Sequence, residues 1–188
     1  MQANEITDVL KTDLHESLQD SQIDPSKLSP FQKILLIADG TLTNLLEAFL
    51  NEPIGVIKLS EEIVSITEDI LPLEIKAGTE VLERQILLYG KTSQRNWLYA
   101  DSIIVLERVA EKFREKLIKS HIPIGKLWVE HKTETFKEIV TYVREAAGDL
   151  SDYFDIKIED KLLSRTYRVF SNRQPVMTIT EKFPENSF

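Results

Sequence analysis

The chain reads as α+β, with a single antiparallel β-sheet flanked by helices. Three observations carry this. Short β-branched and aromatic runs recur with turn signals between them; two of these runs face each other across a short polar turn; and helical periodicity interrupts the strands instead of alternating regularly with them.

Ser29-Pro30 opens the first ordered element, with Ser as helix cap and Pro at the first helical position before the apolar run FQKILLIAD. Gly40 ends it, and Thr41 or Thr43 caps a second helix in which Leu42, Leu45, Leu46 and Phe49 share a face. From Pro53 the texture turns β-branched: IGVIKLS and EIVSIT read as two strands. VLERQILLYG and WLYADSIIVL, joined by KTSQRN, read as a long antiparallel hairpin. Helical period returns over Leu106 to Ser120, and a Pro123/Gly125 break follows, with LWVEH as a short strand after it. Thr133 caps a further predicted helix in which Phe136, Ile139, Val140 and Val143 recur at helical spacing, closed by Gly148. SRTYRVF and PVMTITEKF are two more strands around the turn SNRQP. No sequence repeat is evident.

The 188 residues, 42% of them hydrophobic, suffice for one domain with a sizeable core, expected over residues 29–188. Residues 1–28 are polar and acidic and read as an arm that is flexible or weakly helical. A formal net charge of −8 argues against the basic surface that nucleic acid requires. The first helix pair has a helix-turn-helix shape, but LTNLLEAFL brings no Lys or Arg to a phosphate. With no cysteine there are no disulfides, thiolate nucleophiles or cysteine-ligated metals. His15, His121 and His131 are scattered, so no metal site is expected. A polar N-terminus and the lack of a long apolar stretch point to a cytoplasmic protein without stable membrane insertion. The sequence leaves the oligomeric state between monomer and dimer.

Alternation singles out two charges. Arg84 shares a strand face with Leu82, Ile86 and Leu88, and Glu181 shares one with Met177, Ile179 and Phe183. If those faces are the core, each charge needs an opposite charge or a ligand, because burying it alone costs several kcal/mol, of order 3–5. An Arg84–Glu181 ion pair and a ligand pocket both satisfy this, and periodicity does not separate them. In the RTYR strand, Arg165 and Tyr167 share one face and Arg168 takes the other. No GxSxG, Walker or GxGxxG motif occurs.

Over residues 30–185 the chain resembles the chorismate pyruvate-lyase family, also called 4-hydroxybenzoate synthase, in particular its divergent cyanobacterial and archaeal branch. The resemblance rests on ADGTLTNLLEAF, LERQILL, YADSII, Pro123-Ile124-Gly125, the RTYR strand and the ending ITEKFP, in that order and spacing. It implies a ligand pocket under helical flaps, no metal or organic cofactor, and cleavage of chorismate into 4-hydroxybenzoate and pyruvate. The product would serve as a quinone precursor, for plastoquinone in a photosynthetic source. By motif position it implies Arg84 and Glu181 as catalytic residues. Substrate contacts are implied at Leu42, Ile124 and Gly125, with Arg165, Tyr167, Arg168 and Lys126 as further candidates.

Where the enterobacterial members carry an arginine, this chain has Asp101, so the enolpyruvyl carboxylate would need another cation. The alternative is a non-catalytic binding or sensor domain for an aromatic acid, since the same fold resembles effector domains of bacterial transcription regulators. Those follow a basic DNA-binding module, where this chain has a short acidic arm.

Overall fold

The computed structural model describes Leu18, Ser21 and residues 23–120 and 122–188. Its centre is one six-stranded sheet in the order β1-β2-β3-β6-β5-β4, with every neighbouring pair antiparallel. The strands are β1 (Ile54–Ser65), β2 (Glu80–Gly90), β3 (Asn96–Val105), β4 (Phe136–Ala146), β5 (Lys161–Ser171) and β6 (Gln174–Pro184). Among the described residues the helices are α1 (Pro30–Ile37), α2 (Leu42–Leu50), α3 (Glu111–Lys119), α4 (Ile124–Glu130) and the single-turn α5 (Ser151–Phe154). None of them is long and apolar enough to cross a membrane.

The start of α1 follows from its sequence. Ser29 Oγ accepts from the Gln32 amide at 3.1 Å while Gln32 Oε1 accepts from the Ser29 amide at 2.7 Å, a reciprocal cap. The β5–β6 hairpin turns on Asn172 and Arg173, both at positive φ, the backbone that a two-residue antiparallel turn requires. The arm expected over residues 1–28 lies mostly outside the described residues. Where it is described, it is tied down: Leu18, Ile23 and Leu28 are buried in the main core.

Three expectations are corrected. IGVIKLS and most of EIVSIT form one strand, β1, which runs through the polar break at Glu61 and carries a bulge at Leu59, where the register slips between Lys58 and Ser60. LWVEH is not a strand but lies mostly in α4, capped by Pro123. The helix expected from Thr133 is strand β4, an outer strand of the sheet. Its apparent helical spacing comes from a second bulge, at Val140, which sets Ile139 and Val140 side by side and breaks the alternation.

The two bulges reveal a repeat that the residues themselves hide. Strands β1-β2-β3 and β4-β5-β6 are equivalent meanders joined edge to edge through β3 and β6. The offset that carries the bulge at Leu59 onto Val140 also carries Leu82 onto Leu163, Arg84 onto Arg165 and Leu88 onto Val169. Leu82, Ile86, Leu88, Leu98, Ile104, Met177, Ile179 and Phe183 point from the sheet into the main core, which α1 and α2 cover. The other face is covered in part by Phe154 of α5 over Leu87, Tyr99 and Leu162.

Candidate active site

On the covered face the apolar packing leaves a cavity of about 290 Å³, near the lower end of the range for small-molecule sites. Its floor is the middle of the sheet, including Arg84, Ala100, Ser102, Tyr167, Ile179 and Glu181. Its roof is the α1–α2 linker with the start of α2, opposite α4 and the segment that runs into β4. The two roof pieces meet closely, since a β-carbon at Gly125 would collide with the Thr41 side chain. Glycine there is what lets α4 approach the start of α2.

Arg84 reaches the floor from β2 and is 1% exposed. Its Nε donates to Glu61 Oε2 on β1 at 3.1 Å, and Lys58 Nζ holds the other Glu61 oxygen at 2.8 Å. Both terminal guanidinium nitrogens are buried without a protein partner. Burial pulls the Arg84 pKa below its ordinary value, and Glu61 opposes the shift. The residue is thus a cation anchored by one edge, with the bidentate fork that matches a carboxylate left unused.

Glu181 enters from β6, two residues along from Ile179, which stands level with Ser102 and so with Arg84. Its Oε2 accepts from Arg165 Nε at 2.8 Å and its Oε1 from the Tyr167 hydroxyl at 3.0 Å. The Tyr167 pKa is raised well above its ordinary value, first by burial and then by the Glu181 charge, so the phenol is a fixed donor. For Arg165, burial alone would lower the pKa, but Glu181, Tyr167 and Tyr142 reverse the sign. Arg84 and Glu181 therefore do not pair with each other: each has its own partner, and both face one cavity.

Residues 36–187 match the family described as Chorismate pyruvate-lyase Rv2949c-like. The chain belongs to the chorismate pyruvate-lyase family. A chorismate pyruvate-lyase of Mycobacterium leprae is 32% identical over 164 residues, which cover 86% of this chain and 78% of that protein. The protein of the same name in Mycobacterium tuberculosis is 29% identical over 176 residues, 91% of this chain and 87% of that one. In fold, the chain is similar to the effector domain of PhnF from Mycobacterium smegmatis, with a TM-score of 0.62 over 81% of this chain and 93% of that domain. At 10% identity that likeness concerns the fold alone.

For a chorismate pyruvate-lyase chain, the residues implied by motif position and the further candidates for the second carboxylate fall into two groups. Leu42, Arg84, Ile124, Gly125, Tyr167 and Glu181 line the cavity. Arg165, Arg168 and Lys126 do not. Arg165 lies behind Glu181, its Nη1 donating to the carbonyls of Leu36 at 3.1 Å and Ala38 at 2.8 Å. Arg168 takes the opposite parity on β5, where Glu138 holds it at 2.9 Å. Lys126 pairs with Glu47 at 2.7 Å on the outside of the roof.

Asp101 also changes meaning. It alternates with Ala100 and Ser102, which face the cavity, and lines instead a depression on the other side of the sheet with Glu83 and Gln85. No cavity cation is lost by having aspartate there. The sequence reading does not signal two cavity-lining polar groups, Ser102 and Lys137, nor the Glu61 carboxylate that holds Arg84. Alternation along β3 points to Ser102 once Arg84 is placed, whereas the bulge at Leu59 takes Glu61 out of the alternation of Ile54, Val56 and Lys58. Lys137 lay in the segment read as a helix.

Proposed function

We propose that this chain cleaves chorismate to 4-hydroxybenzoate and pyruvate, in the cytoplasm and without a cofactor, supplying a quinone precursor. The observation that carries the reading is the free guanidinium fork of Arg84, buried and without a partner at one side of a cavity that also presents Glu181. A buried fork of this kind is costly unless a planar anion completes it. In the proposed complex Arg84 grips the ring carboxylate and Glu181 receives the ring hydroxyl.

The reaction breaks the bond between the ring and the ether oxygen. The neighbouring ring carbon, which bears the hydroxyl, gives up its hydrogen as a proton, and the electron pair left behind completes the aromatic ring. The departing enolpyruvate takes up a proton and becomes pyruvate. Aromatisation supplies the driving force, so the protein's work is to position the substrate and to stabilise charge developing on the ether in a dry site. Glu181, held at both oxygens by Arg165 and Tyr167, is the proposed proton-transfer group. The two roof segments must part to release the product, and their close contact at Gly125 and Thr41 supports slow release.

The test is to incubate purified protein with chorismate and follow pyruvate through a coupled assay. Pyruvate formation together with 4-hydroxybenzoate is expected. Background pyruvate from folded protein would refute the enzyme, and tight 4-hydroxybenzoate binding without turnover would turn the site into a ligand sensor.

A further inference from the structure

We propose that Lys137 binds the enolpyruvyl carboxylate of the substrate, and so distinguishes the dianionic substrate from the monoanionic product. The inference rests on the proposed chorismate reading and assigns the second carboxylate within it.

The chemistry of the substrate says where such a cation must stand. In chorismate the hydroxyl lies across the ring from the ring carboxylate, and the enolpyruvyl ether is on the carbon next to the hydroxyl. With the ring carboxylate on Arg84 and the hydroxyl on Glu181, the second carboxylate projects from the Glu181 end of the cavity. A second anion entering a site that already holds a carboxylate needs a compensating cation there.

Lys137 meets that requirement. It extends from the inner end of β4, level with Val169 of β5, and lines the cavity. Its Nζ lies 5.3 Å from the centre of the Tyr167 ring, whose hydroxyl holds Glu181. One ammonium hydrogen is committed, to the Gly40 carbonyl of the α1–α2 linker at 3.0 Å. Among the described residues no carboxylate forms a salt bridge with it, so two donors remain for a ligand. Burial disfavours its charge, and the fields of Glu181 and Asp39 restore part of it against Arg165. The other lysine on the cavity wall, Lys132, is exposed at the rim.

The hydrogen bond to Gly40 adds a second consequence. Because the same ammonium touches the linker of the roof, a carboxylate on Lys137 ties the substrate to the segment that covers it. Loss of that carboxylate as pyruvate departs removes one of the contacts holding the roof down.

The experiment compares chorismate turnover with 4-hydroxybenzoate affinity in wild type, Lys137→Met and Lys137→Arg. Losing a charge-assisted hydrogen bond in a buried site corresponds to roughly a 10- to 100-fold effect. Lys137→Met should raise KM for chorismate by about that factor. The dissociation constant for 4-hydroxybenzoate should stay within about threefold, well inside the tenfold that 1.4 kcal/mol represents. Lys137→Arg should recover most of the chorismate affinity. If Lys137→Met does not fold, Lys137→Gln removes the charge while keeping a donor, and the same comparison applies. An unchanged KM in an active enzyme would overturn the assignment. So would a parallel loss of 4-hydroxybenzoate affinity, which would mean that the lysine only braces the roof. Wild-type protein that releases no pyruvate would remove the underlying reading and this assignment together.

Discussion

Arg84 and Arg165 occupy equivalent positions on the middle strands of two equivalent meanders, yet only Arg84 keeps both terminal guanidinium nitrogens unpartnered. Arg165 spends its Nε on Glu181 and its Nη1 on two carbonyls that end α1. One arginine keeps its fork open beside the cavity, and the other holds the Glu181 carboxylate that lines it.

Removing the open arginine should therefore affect binding more than folding. Arg84→Ala should lower kcat/KM for chorismate by at least about 100-fold, with 4-hydroxybenzoate affinity falling alongside, as expected when a buried charged partner is lost. Arg84→Lys should restore little, because an ammonium cannot offer the parallel fork. Steady-state kinetics and calorimetric titration check this, and full activity of either variant would remove Arg84 from the site.

Truncating the built contact should affect both. Glu181→Ala leaves Arg165 buried without its carboxylate, a change that costs about 3–5 kcal/mol when one partner of a buried pair is deleted. Denaturant unfolding should show that loss, and pyruvate release should stop. Glu181→Gln keeps an acceptor for Tyr167 and should retain more stability while remaining inactive.

The roof contact predicts a rescue. Gly125→Ala sets a methyl group into the Thr41 side chain, and overpacking of that size costs about 1–3 kcal/mol. Thr41→Ser removes the methyl nearest the new carbon. The double variant should recover most of the melting temperature and turnover lost by Gly125→Ala, and a purely additive double mutant would show that the two residues do not meet as described.

Asp101 gives a pH signature separate from catalysis. Burial raises its pKa above the ordinary 3.8, with Gln85, the Ser102 amide and Lys182 opposing. The folded state thus holds the proton more tightly than the unfolded chain. The penalty is absent well below pH 3.8, grows as pH rises through the unfolded and then the folded value, and is complete near neutrality. Asp101→Asn should raise the melting temperature at neutral pH, by an amount that shrinks in acid, without changing turnover. A stabilisation independent of pH would contradict the assignment.

Alternation made Arg84 and Glu181 legible because β2 and β6 are regular where they sit, so a charge among Leu, Ile and Phe stands out. The capped entry into α1 was legible for a similar reason, since Ser29, Pro30 and Gln32 all act locally. Strand β4 was not, because one inserted residue at Val140 turns a period of two into something close to a helical period. A helical reading of this segment hides Lys137 and leaves Arg165, Arg168 and Lys126 as the sequence's candidates for a second cation. Helix α4 was misread because its seven residues include Ile, Trp and Val, whose local preference is for strands until Pro123 and packing on the core decide otherwise.

Joining the two meanders in one polypeptide has a chemical consequence. Two identical halves, associating as separate chains, would have to carry the same residue at both related places. Fused, they are free to differ: Ser102 corresponds to Glu181, and Ile86 to Tyr167. A strictly symmetric pair of halves could leave both arginines open or pair both with carboxylates, but could not leave one open and pair the other. A cavity with an unpaired guanidinium at one end and a carboxylate at the other is what covalent linkage of the halves makes attainable.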